Sequence, residues 1–316
     1  MFLGQSIPAQ GNGSTQHEDC LILITGCSDG SLGAALAHAF HQKGLTVYAT
    51  ARNPDKMSGL KSAGIHCLTL DVVDDSSIKS CLHKVSKQTG GTLDILVNSA
   101  GGGHYQPFLH LDLNRARDLF ETNVWGYLAV TQAFLPLLMK DASAAPDGKK
   151  AMLVNNTSIS SVLRTPYHSA YSASKAAMAM FNDTQRIELQ PFGIKVIDLK
   201  TGSTVSHFPK NRTNPPTLPE NSPYQPIQKD VEYVIQGHAT EQYAEDQTKW
   251  AENVVLDLLQ KNPPDQVWRG GRAGLIQLTN AAGGVIPDVL GDKGFQQLGG
   301  LDKLEKIRVE RDKEKR

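Results

Sequence analysis

Short apolar runs alternate with longer amphipathic stretches along most of the chain. The run Leu21-Ile22-Leu23-Ile24 is apolar at every position, which is typical of a strand in a parallel sheet that helices cover on both faces. The alternation predicts an α/β fold with a doubly wound parallel sheet, which binds ligands at the carboxyl ends of its strands. The pattern predicts strands over 21–25, 46–50, 66–71, 93–98, 151–156, 195–199 and 266–268, and helices over 32–43, 76–88, 113–139 and 170–189.

Composition narrows the classes of ligand. Of the 316 residues, 40% are hydrophobic, which is enough to bury the core of a single large domain. Lys and Arg together number 32, and so do Asp and Glu. This balance gives no electrostatic reason to expect a nucleic acid or an anionic membrane surface as the main partner. A small molecule is the expected ligand.

The two ends of the chain set the expected extent of the domain. Residues 1–18 are polar and lack the basic start and apolar core of a signal peptide, which predicts a flexible tail on a cytoplasmic protein. The four cysteines lack metal-ligand spacing and are expected to be reduced. Residues 268–290 are too often interrupted by polar residues to span a membrane. The single domain is therefore expected over 19–290, and 291–316 is expected to be a charged extension that forms a solvated helix.

A glycine-rich turn follows the first predicted strand. Gly26, Gly30 and Gly33 would allow a tight turn and a close approach of a pyrophosphate to the free N–H groups of the next helix. About twenty residues further on, Arg52 ends the second strand, where it can pair with a 2′-phosphate. These features favour NADP(H). The alternatives are an ordinary strand-to-helix turn and a solvated surface arginine.

Tyr171 and Lys175 are four residues apart at the start of an alanine-rich helical stretch, so both side chains project from one helix face. A free tyrosine has a pKa of about 10. A neighbouring ammonium, together with an oxidised nicotinamide, is expected to lower the pKa of Tyr171 so that it can give or take a proton. Ser158 precedes them in a serine-rich segment. The structural alternative is a packed ring beside a solvated cation.

Four separate segments together resemble the short-chain dehydrogenase/reductase family, and the chain is most similar to its fungal NADP-dependent members. The resemblance covers 21–206, and the segments contain the glycine-rich turn, Asn98-Ser99-Ala100-Gly101, Asn123, and Ser158 with Tyr171 and Lys175. It implies a Rossmann fold and a homodimer or homotetramer. It also implies that Tyr171 is the acid or base, Ser158 binds the substrate oxygen, Lys175 holds the nicotinamide ribose, and Asn123 positions a water in a proton relay. The implied cofactor-binding residues are Gly26, Ser28, Gly30, Ser31, Leu32, Gly33, Arg52, Asp71, Asn98, Ala100, Gly101, Tyr171, Lys175, Thr204 and Ser206.

Two segments depart from the family pattern. Gly33 comes one place later than the last glycine of the usual turn, so either the loop is longer by one residue or Ser31 stands where a glycine is common. Lys200-Thr201-Gly202 stands where the family commonly has Pro-Gly. The following residues, 203–247, begin proline-rich and are expected to form a substrate lid. His104, Tyr105, Phe108 and 163–168 are candidates for the pocket wall.

The resemblance implies a reductase or dehydrogenase that interconverts a carbonyl and an alcohol. A small lipophilic ketone or aldehyde of the secondary-metabolite type is the preferred substrate, because 291–316 lacks an apolar anchor. The alternative within the family is a reductase of 1-acyldihydroxyacetone phosphate. The alternative from another class is a non-catalytic NADP(H)-binding sensor or scaffold, which would be expected to have lost Ser158, Tyr171 or Lys175.

Overall fold

The computed structural model describes residues 20–144, 151–206, 217–281 and 288–314. The predicted tail over 1–18 and part of the predicted lid, 207–216, lie outside the described residues. Among the helices of the described part, none is long and apolar enough to cross a membrane. The four cysteines are free thiols, as expected.

Seven parallel strands form one sheet in the order β3-β2-β1-β4-β5-β6-β7. The order reverses direction beside β1, which places a cleft between the carboxyl ends of β1 and β4. The doubly wound parallel sheet is therefore confirmed. The strands are β1 Leu21–Thr25, β2 Thr46–Ala51, β3 His66–Thr69, β4 Ile95–Asn98, β5 Ala151–Asn156, β6 Ile194–Thr201 and β7 Gln266–Arg269. Five of them differ from the predicted bounds by one or two residues at an end.

Helices flank both faces of the sheet. The helices are α1 Leu32–Gln42, α2 Ser58–Ser62, α3 Asp75–Thr89, α4 Leu113–Phe120, α5 Tyr127–Ala144, α6 Ser169–Leu189, α7 Gln228–Ile235, α8 His238–Glu241, α9 Gln247–Leu258, α10 Ala273–Ala281, α11 Asp288–Leu298 and α12 Leu301–Glu314. Ile22 and Ile24 of β1 pack in the apolar layer that includes α1 and α9. Leu23 packs in the opposite layer with residues of α3 and α5. This double burial explains why β1 is apolar at every position from Leu21 to Ile24.

The helix predicted over 113–139 is interrupted. A π-helical turn, Glu121–Gly126, separates α4 from α5. Gly126 lies so close to Val72 that an added Cβ would meet the Val72 carbonyl oxygen at 2.9 Å. π-Turns inside α-helices shift the register of the following residues and occur frequently at functional sites. This turn contains Asn123.

The C-terminal extension packs on the segment predicted to form the lid. Within 203–247, the described part contains the helices α7 and α8. Val231, Val234 and Ile235 of α7 are buried in a third apolar cluster, which we call the lid cluster, and Leu301 and Leu304 of α12 pack against it. The prediction of a wholly solvated terminal helix is therefore wrong for the first turn of α12. Apolar residues spaced three apart give this otherwise charged helix one side that can pack.

Candidate active site

The glycine-rich turn brings the end of β1 against the loop after β4. Gly26 has a φ of +77°, and an added Cβ would lie 2.7 Å from the Ala100 Cα. Gly33 packs on the turn itself, since its added Cβ would lie 2.6 Å from the Gly26 carbonyl oxygen. Glycine is therefore required at both positions for steric reasons. The resulting bare backbone can approach a phosphate closely.

Ser31 accounts for the departure from the usual glycine pattern. Its hydroxyl accepts a hydrogen bond from the Ala34 N–H at 3.1 Å and donates to the Gly26 carbonyl at 2.8 Å. Ser31 is thus the N-cap of α1, and Leu32 is the first helical residue. The Ser31 N–H bonds to the Ser28 carbonyl at 2.9 Å, which closes the turn through Gly30. The turn therefore still delivers the positive end of α1 to the cleft.

Arg52 and Asp71 follow the next two strands. Arg52 comes directly after β2 and is exposed. Asp71 is half-buried, and one of its carboxylate oxygens accepts a hydrogen bond from the Val73 N–H at 3.2 Å. Asp71 therefore caps the turn before α3, which is the structural role that such a residue can take without any ligand.

Asn98 faces the interior of the protein. Its side-chain amide donates to Thr131 Oγ1 at 2.9 Å and to Asn155 Oδ1 at 3.0 Å, and only 2% of the residue is exposed. The Asn98 side chain therefore joins strands β4 and β5 to α5, and a contact of this residue with a cofactor stays a prediction. Ala100 and Gly101 reach the surface of the cleft instead, and Thr25 fixes that loop by accepting the Ala100 N–H at 2.9 Å.

Ser158 and Tyr171 form the centre of the candidate site. Ser158 lies in the turn after β5, where its hydroxyl accepts the Ser160 N–H at 3.1 Å. Tyr171 lies in the first turn of α6, and its side chain is hydrogen-bonded to Ser158. Burial raises the pKa of Tyr171 above its ordinary value, and the Ser158 hydrogen bond partly offsets this. The protein groups therefore favour the protonated phenol, in contrast to the expected lowering by Lys175.

Lys175 is buried one helical turn after Tyr171. Its Nζ donates to the Asn156 carbonyl oxygen at 2.8 Å. Burial lowers the pKa of Lys175 to about 8, against the opposing attraction of the Asp198 carboxylate. Asn156 was not predicted as a site residue, yet its amide donates to Ser99 Oγ at 3.1 Å and accepts from Thr201 Oγ1 at 2.6 Å. The Asn156 side chain therefore links the carboxyl ends of β4, β5 and β6 next to Lys175.

Asn123 completes the cluster. Its Oδ1 accepts the Gly102 N–H at 2.8 Å, and its Nδ2 donates to Ser174 Oγ at 3.0 Å. Gly101 lies between Asn123 and Lys175, because a Cβ added to it would be 3.2 Å from Asn123 Oδ1 and 3.7 Å from Lys175 Nζ. The π-helical turn thus brings Asn123 to the glycine loop beside the lysine.

Aromatic side chains border Tyr171. The Tyr105 ring lies edge-on to Tyr171 at 5.3 Å between centroids, and it lies 4.3 Å from the His168 ring. Phe108 was also expected in this wall but is 77% exposed. Tyr167, which belongs to the segment 163–168 expected in this wall, adopts a φ of +68° and donates its hydroxyl to the Gly299 carbonyl at 2.6 Å. A positive φ is uncommon for a bulky residue such as tyrosine, so the sequence does not predict one at this position.

The segment after β6 is held by short backbone bridges. Thr204 pairs with Glu245, and Ser203 pairs with Gly271. The Thr204 hydroxyl donates to the Gly202 carbonyl at 3.2 Å, and Ser206 is half-buried at the end of the described part of this segment. These bridges place Thr204 and Ser206 beyond the carboxyl end of β6, at the cleft edge of the sheet.

Comparison with known proteins identifies the family. The model of the family described as short chain dehydrogenase matches residues 21–216. The chain belongs to the short-chain dehydrogenase family. A short-chain dehydrogenase/reductase from Pestalotiopsis microspora is 44% identical over 291 residues, which cover 91% of this chain and 97% of that protein.

Two further family members have names or titles that mention a cofactor. The NADPH-dependent 1-acyldihydroxyacetone phosphate reductase of Schizosaccharomyces pombe is 37% identical over 211 residues, covering 66% of this chain and 69% of that protein. The crystal structure of a short chain dehydrogenase from Burkholderia cenocepacia in complex with NADP matches with a TM-score of 0.64 and 25% identity, covering 85% of this chain and 95% of that one. The resemblance seen in the sequence is thus confirmed, and the protein is an oxidoreductase of this family.

Proposed function

We propose that this protein is an NADP(H)-dependent oxidoreductase that interconverts a carbonyl and an alcohol, and that it reduces a small lipophilic ketone or aldehyde of the secondary-metabolite type. The observation that carries the proposal is the hydrogen bond between Ser158 and Tyr171, with the Lys175 ammonium buried one turn away on the same helix. Two hydroxyls in contact offer two hydrogen-bond donors to one substrate oxygen.

The protonation states favour reduction. Because burial raises the pKa of Tyr171, its hydroxyl stays protonated at neutral pH and can donate a proton to the developing alkoxide. Ser158 can hold that oxygen with a second hydrogen bond. NADPH, when bound, supplies the hydride. Tyr105, edge-on to Tyr171, provides an aromatic surface suited to a lipophilic substrate.

The first strands fit a dinucleotide. The bare backbone at Gly26 and Gly33 forms a cradle that any Cβ would fill, and it lies at the N-terminus of α1. Arg52, exposed after β2, can pair with a 2′-phosphate. Support also comes from the Schizosaccharomyces pombe relative, which is named as NADPH-dependent, and from the NADP bound in the Burkholderia cenocepacia structure.

Cofactor preference is tested with Arg52→Asp. We expect NADPH affinity to fall by about 10- to 100-fold, since a charge-assisted hydrogen bond is lost and a like charge is gained, while NADH affinity changes little. Lys79→Asp on α3 is the matched control, because it makes the same charge change at an exposed position outside the glycine turn. Titration of both cofactors by fluorescence measures the effect. Equal loss of NADPH and NADH affinity contradicts the role of Arg52.

The reaction is tested with Tyr171→Phe and a panel of carbonyl substrates. Wild-type protein is expected to oxidise NADPH with a lipophilic ketone or aldehyde, and Tyr171→Phe is expected to reduce kcat by about 10²- to 10⁴-fold with NADPH binding retained. Tyr48→Phe removes a tyrosine hydroxyl in β2 and serves as the matched control. Wild-type protein that binds NADPH but shows no turnover dependent on Tyr171 would support the sensor alternative.

A second substrate class belongs in the same panel. The Schizosaccharomyces pombe relative is named for the reduction of 1-acyldihydroxyacetone phosphate. That substrate carries a phosphate and an acyl chain, whereas the preferred class is uncharged. Comparing kcat/KM for the acylated phosphate with that for uncharged ketones separates the two assignments. A higher value for the acylated phosphate overturns the secondary-metabolite assignment and leaves the reaction type standing.

A further inference from the structure

Strand β6 contains a buried ion pair behind the candidate site. Lys200 Nζ lies 2.6 Å from Asp198 Oδ2, and the side chains are 4% and 0% exposed. Since residues alternate along a strand, Asp198 and Lys200 share the face that carries Ile194 and Val196, which pack in the layer with α5. Removing two charges from water costs several kcal/mol per ion, and apolar side chains at the same positions are often as stable. Core packing alone does not explain the pair.

The ion pair holds the serine turn on both sides of Ser158. Thr157 Oγ1 donates to Asp198 Oδ1, and Lys200 Nζ donates to Ser161 Oγ at 3.1 Å. The Ser158 hydroxyl itself lies 3.4 Å from the Thr201 carbonyl oxygen, which belongs to the same strand. The end of β6 therefore contacts the turn before, at and after the serine. Apolar residues at 198 and 200 could not make the two outer hydrogen bonds.

The ion pair also affects the pKa of Lys175. The Asp198 carboxylate attracts the Lys175 ammonium across the interior and opposes the effect of burial on the pKa of that lysine. Besides Lys200, the groups that interact with Asp198 electrostatically include Asp183 of α6 and Tyr127 of α5. Lys200 is further held over the Trp268 ring, 5.5 Å from its centroid. Burial raises the pKa of Asp198 above its ordinary value, and the Lys200 ammonium and the Thr157 hydroxyl oppose this by favouring the carboxylate form, which attracts Lys175.

We propose that Asp198 and Lys200 are positioning residues for the reaction: their ion pair fixes the turn over 157–161 so that Ser158 stays hydrogen-bonded to Tyr171, and the carboxylate attracts the Lys175 ammonium from behind the site. The inference rests on the proposed function for its kinetic consequences. Its structural part, the fixing of the turn, stands independently of turnover. Neither residue touches the reacting atoms.

The test compares wild-type protein with the double variant Asp198→Leu/Lys200→Met. Replacing both ions together avoids an unpaired buried charge, so the melting temperature is expected to remain near that of the wild type. We expect kcat to fall at least tenfold with little change in the KM for NADPH, and the Ser160 and Ser161 amides to exchange hydrogen at least tenfold faster. Asp257→Asn breaks the bidentate pair with Arg269 on β7 and is the matched control, expected to leave kcat unchanged.

A pH profile separates the electrostatic part. In Asp198→Asn, Lys200 remains and the carboxylate charge is lost, so the pKa of Lys175 falls and the alkaline limb of kcat/KM moves to lower pH. A purely structural role would leave this limb in place. Thr157→Val removes the hydrogen bond to Asp198 and a longer one, 3.4 Å, to the Leu199 carbonyl oxygen, and it provides a milder variant if the double variant fails to fold. We expect it to increase exchange at Ser160 and reduce kcat.

The outcomes distinguish this inference from the proposed function. Variants with wild-type kcat and wild-type exchange at Ser160 and Ser161 overturn the positioning role. Wild-type protein without turnover overturns the proposed function, and the exchange rates then decide the positioning role alone. Loss of stability in the double variant with unchanged kcat and exchange indicates that the pair serves folding only, which also overturns the inference.

Discussion

At the residue scale, Lys175 combines two opposing demands. The proposed function needs a charged ammonium near Tyr171, yet the site that orients Lys175 is buried and has a single backbone carbonyl, that of Asn156, as its strong acceptor. The pKa of about 8 reflects this conflict. The lysine is therefore charged at neutral pH at a cost in stability, which gives a measurable dependence of folding on pH.

The first prediction concerns that dependence. The pKa of Lys175 is about 8 in the folded protein against 10.5 for the unperturbed group, so between these values the unfolded state binds the extra proton. Stability therefore rises with pH across this window, and the desolvation penalty present below pH 8 is relieved above it. Relative to Lys175→Met, the free energy of unfolding of the wild type should rise by about 2–3 kcal/mol from pH 8 to pH 10.5.

Urea unfolding at a series of pH values measures this difference. Lys79→Met, which removes an exposed lysine from α3, controls for the loss of a surface charge. A wild-type and Lys175→Met difference that stays constant from pH 8 to pH 10.5 would show that the burial of Lys175 does not determine its titration.

Residue spacing could predict Ser158, Tyr171 and Lys175 because each stands in a short local pattern. It could not predict Asp198 and Lys200. Their hydrogen-bond partners, Thr157 and Ser161, lie about forty positions earlier, in the turn after β5. In a sequence, two opposite charges spaced two residues apart in a strand are typical of a solvent-exposed strand face. The inward direction of the Asn98 amide could not be predicted either, since only the packing of β4 against α5 shows it.

At the element scale, the turn from β1 to α1 depends on a glycine for two separate reasons. Gly26 has a positive φ and also lies against the backbone of Ala100. Gly44, at the end of α1, has a φ of +80° with nothing within 4 Å of an added Cβ. A comparison of substitutions at the two glycines therefore separates the cost of a positive φ from the cost of a steric clash.

The second prediction follows from this pair. Gly44→Ala should lower the free energy of unfolding by about 1 kcal/mol, the cost of a left-handed alanine. Gly26→Ala should lower it by about 3 kcal/mol or more, because the backbone around Ala100 must also shift. It should weaken NADPH binding as well, whereas Gly44→Ala should not. Chemical denaturation and cofactor titration measure both effects, and equal losses would contradict the steric role of Gly26.

Periodicity predicted every strand and four helical stretches because sheet and helix faces are buried with regular spacing, but it did not predict α9. It could not reveal the π-helical turn at Glu121–Gly126, because a register shift of one residue is small compared with the irregular spacing of apolar residues along a long helix. It also missed the docking of α12, since two leucines among many charges are a weak signal.

The third prediction tests that docking. Leu304→Ala should destabilise the lid cluster by about 1–2 kcal/mol, since the side chain is partly buried against it. Ile307→Ala, one turn later on α12 and 41% exposed, is the control and should change stability by less than about 0.5 kcal/mol. Thermal unfolding of both variants measures the difference. Equal effects would place the two side chains in equivalent surroundings, contrary to the structure.

At the scale of the whole molecule, the candidate site lies between the extensively packed central sheet and the less extensively packed lid cluster. Ser158, Lys175 and the glycine-rich turn are held by the central strands, between two large apolar layers. On the substrate side, the lid cluster is much smaller, and it joins α7, α12 and Tyr167. Tyr167 connects the two parts, because it lies four residues before Tyr171 and donates to Gly299 just before α12.

The last prediction concerns the stability of these parts. Segments with few buried apolar contacts open locally at a lower free energy than the core, so the Val231 and Val234 amides of α7 should exchange hydrogen at an opening free energy about 2–4 kcal/mol below that of β1 and β4. Val254 and Val255 of α9, a helix packed on a large apolar layer, are the control and should exchange at the same opening free energy as the sheet.

Ending the chain at Leu298 should accelerate hydrogen exchange in α7 and leave exchange in α9 unchanged, because it removes the carbonyl that accepts the Tyr167 hydroxyl and both docking leucines. Native-state hydrogen exchange measures all three regions. If the α7 amides exchange only through the same unfolding event that exposes β1, the lid cluster and the sheet unfold as one unit. Substrate access then cannot depend on separate opening of the lid cluster.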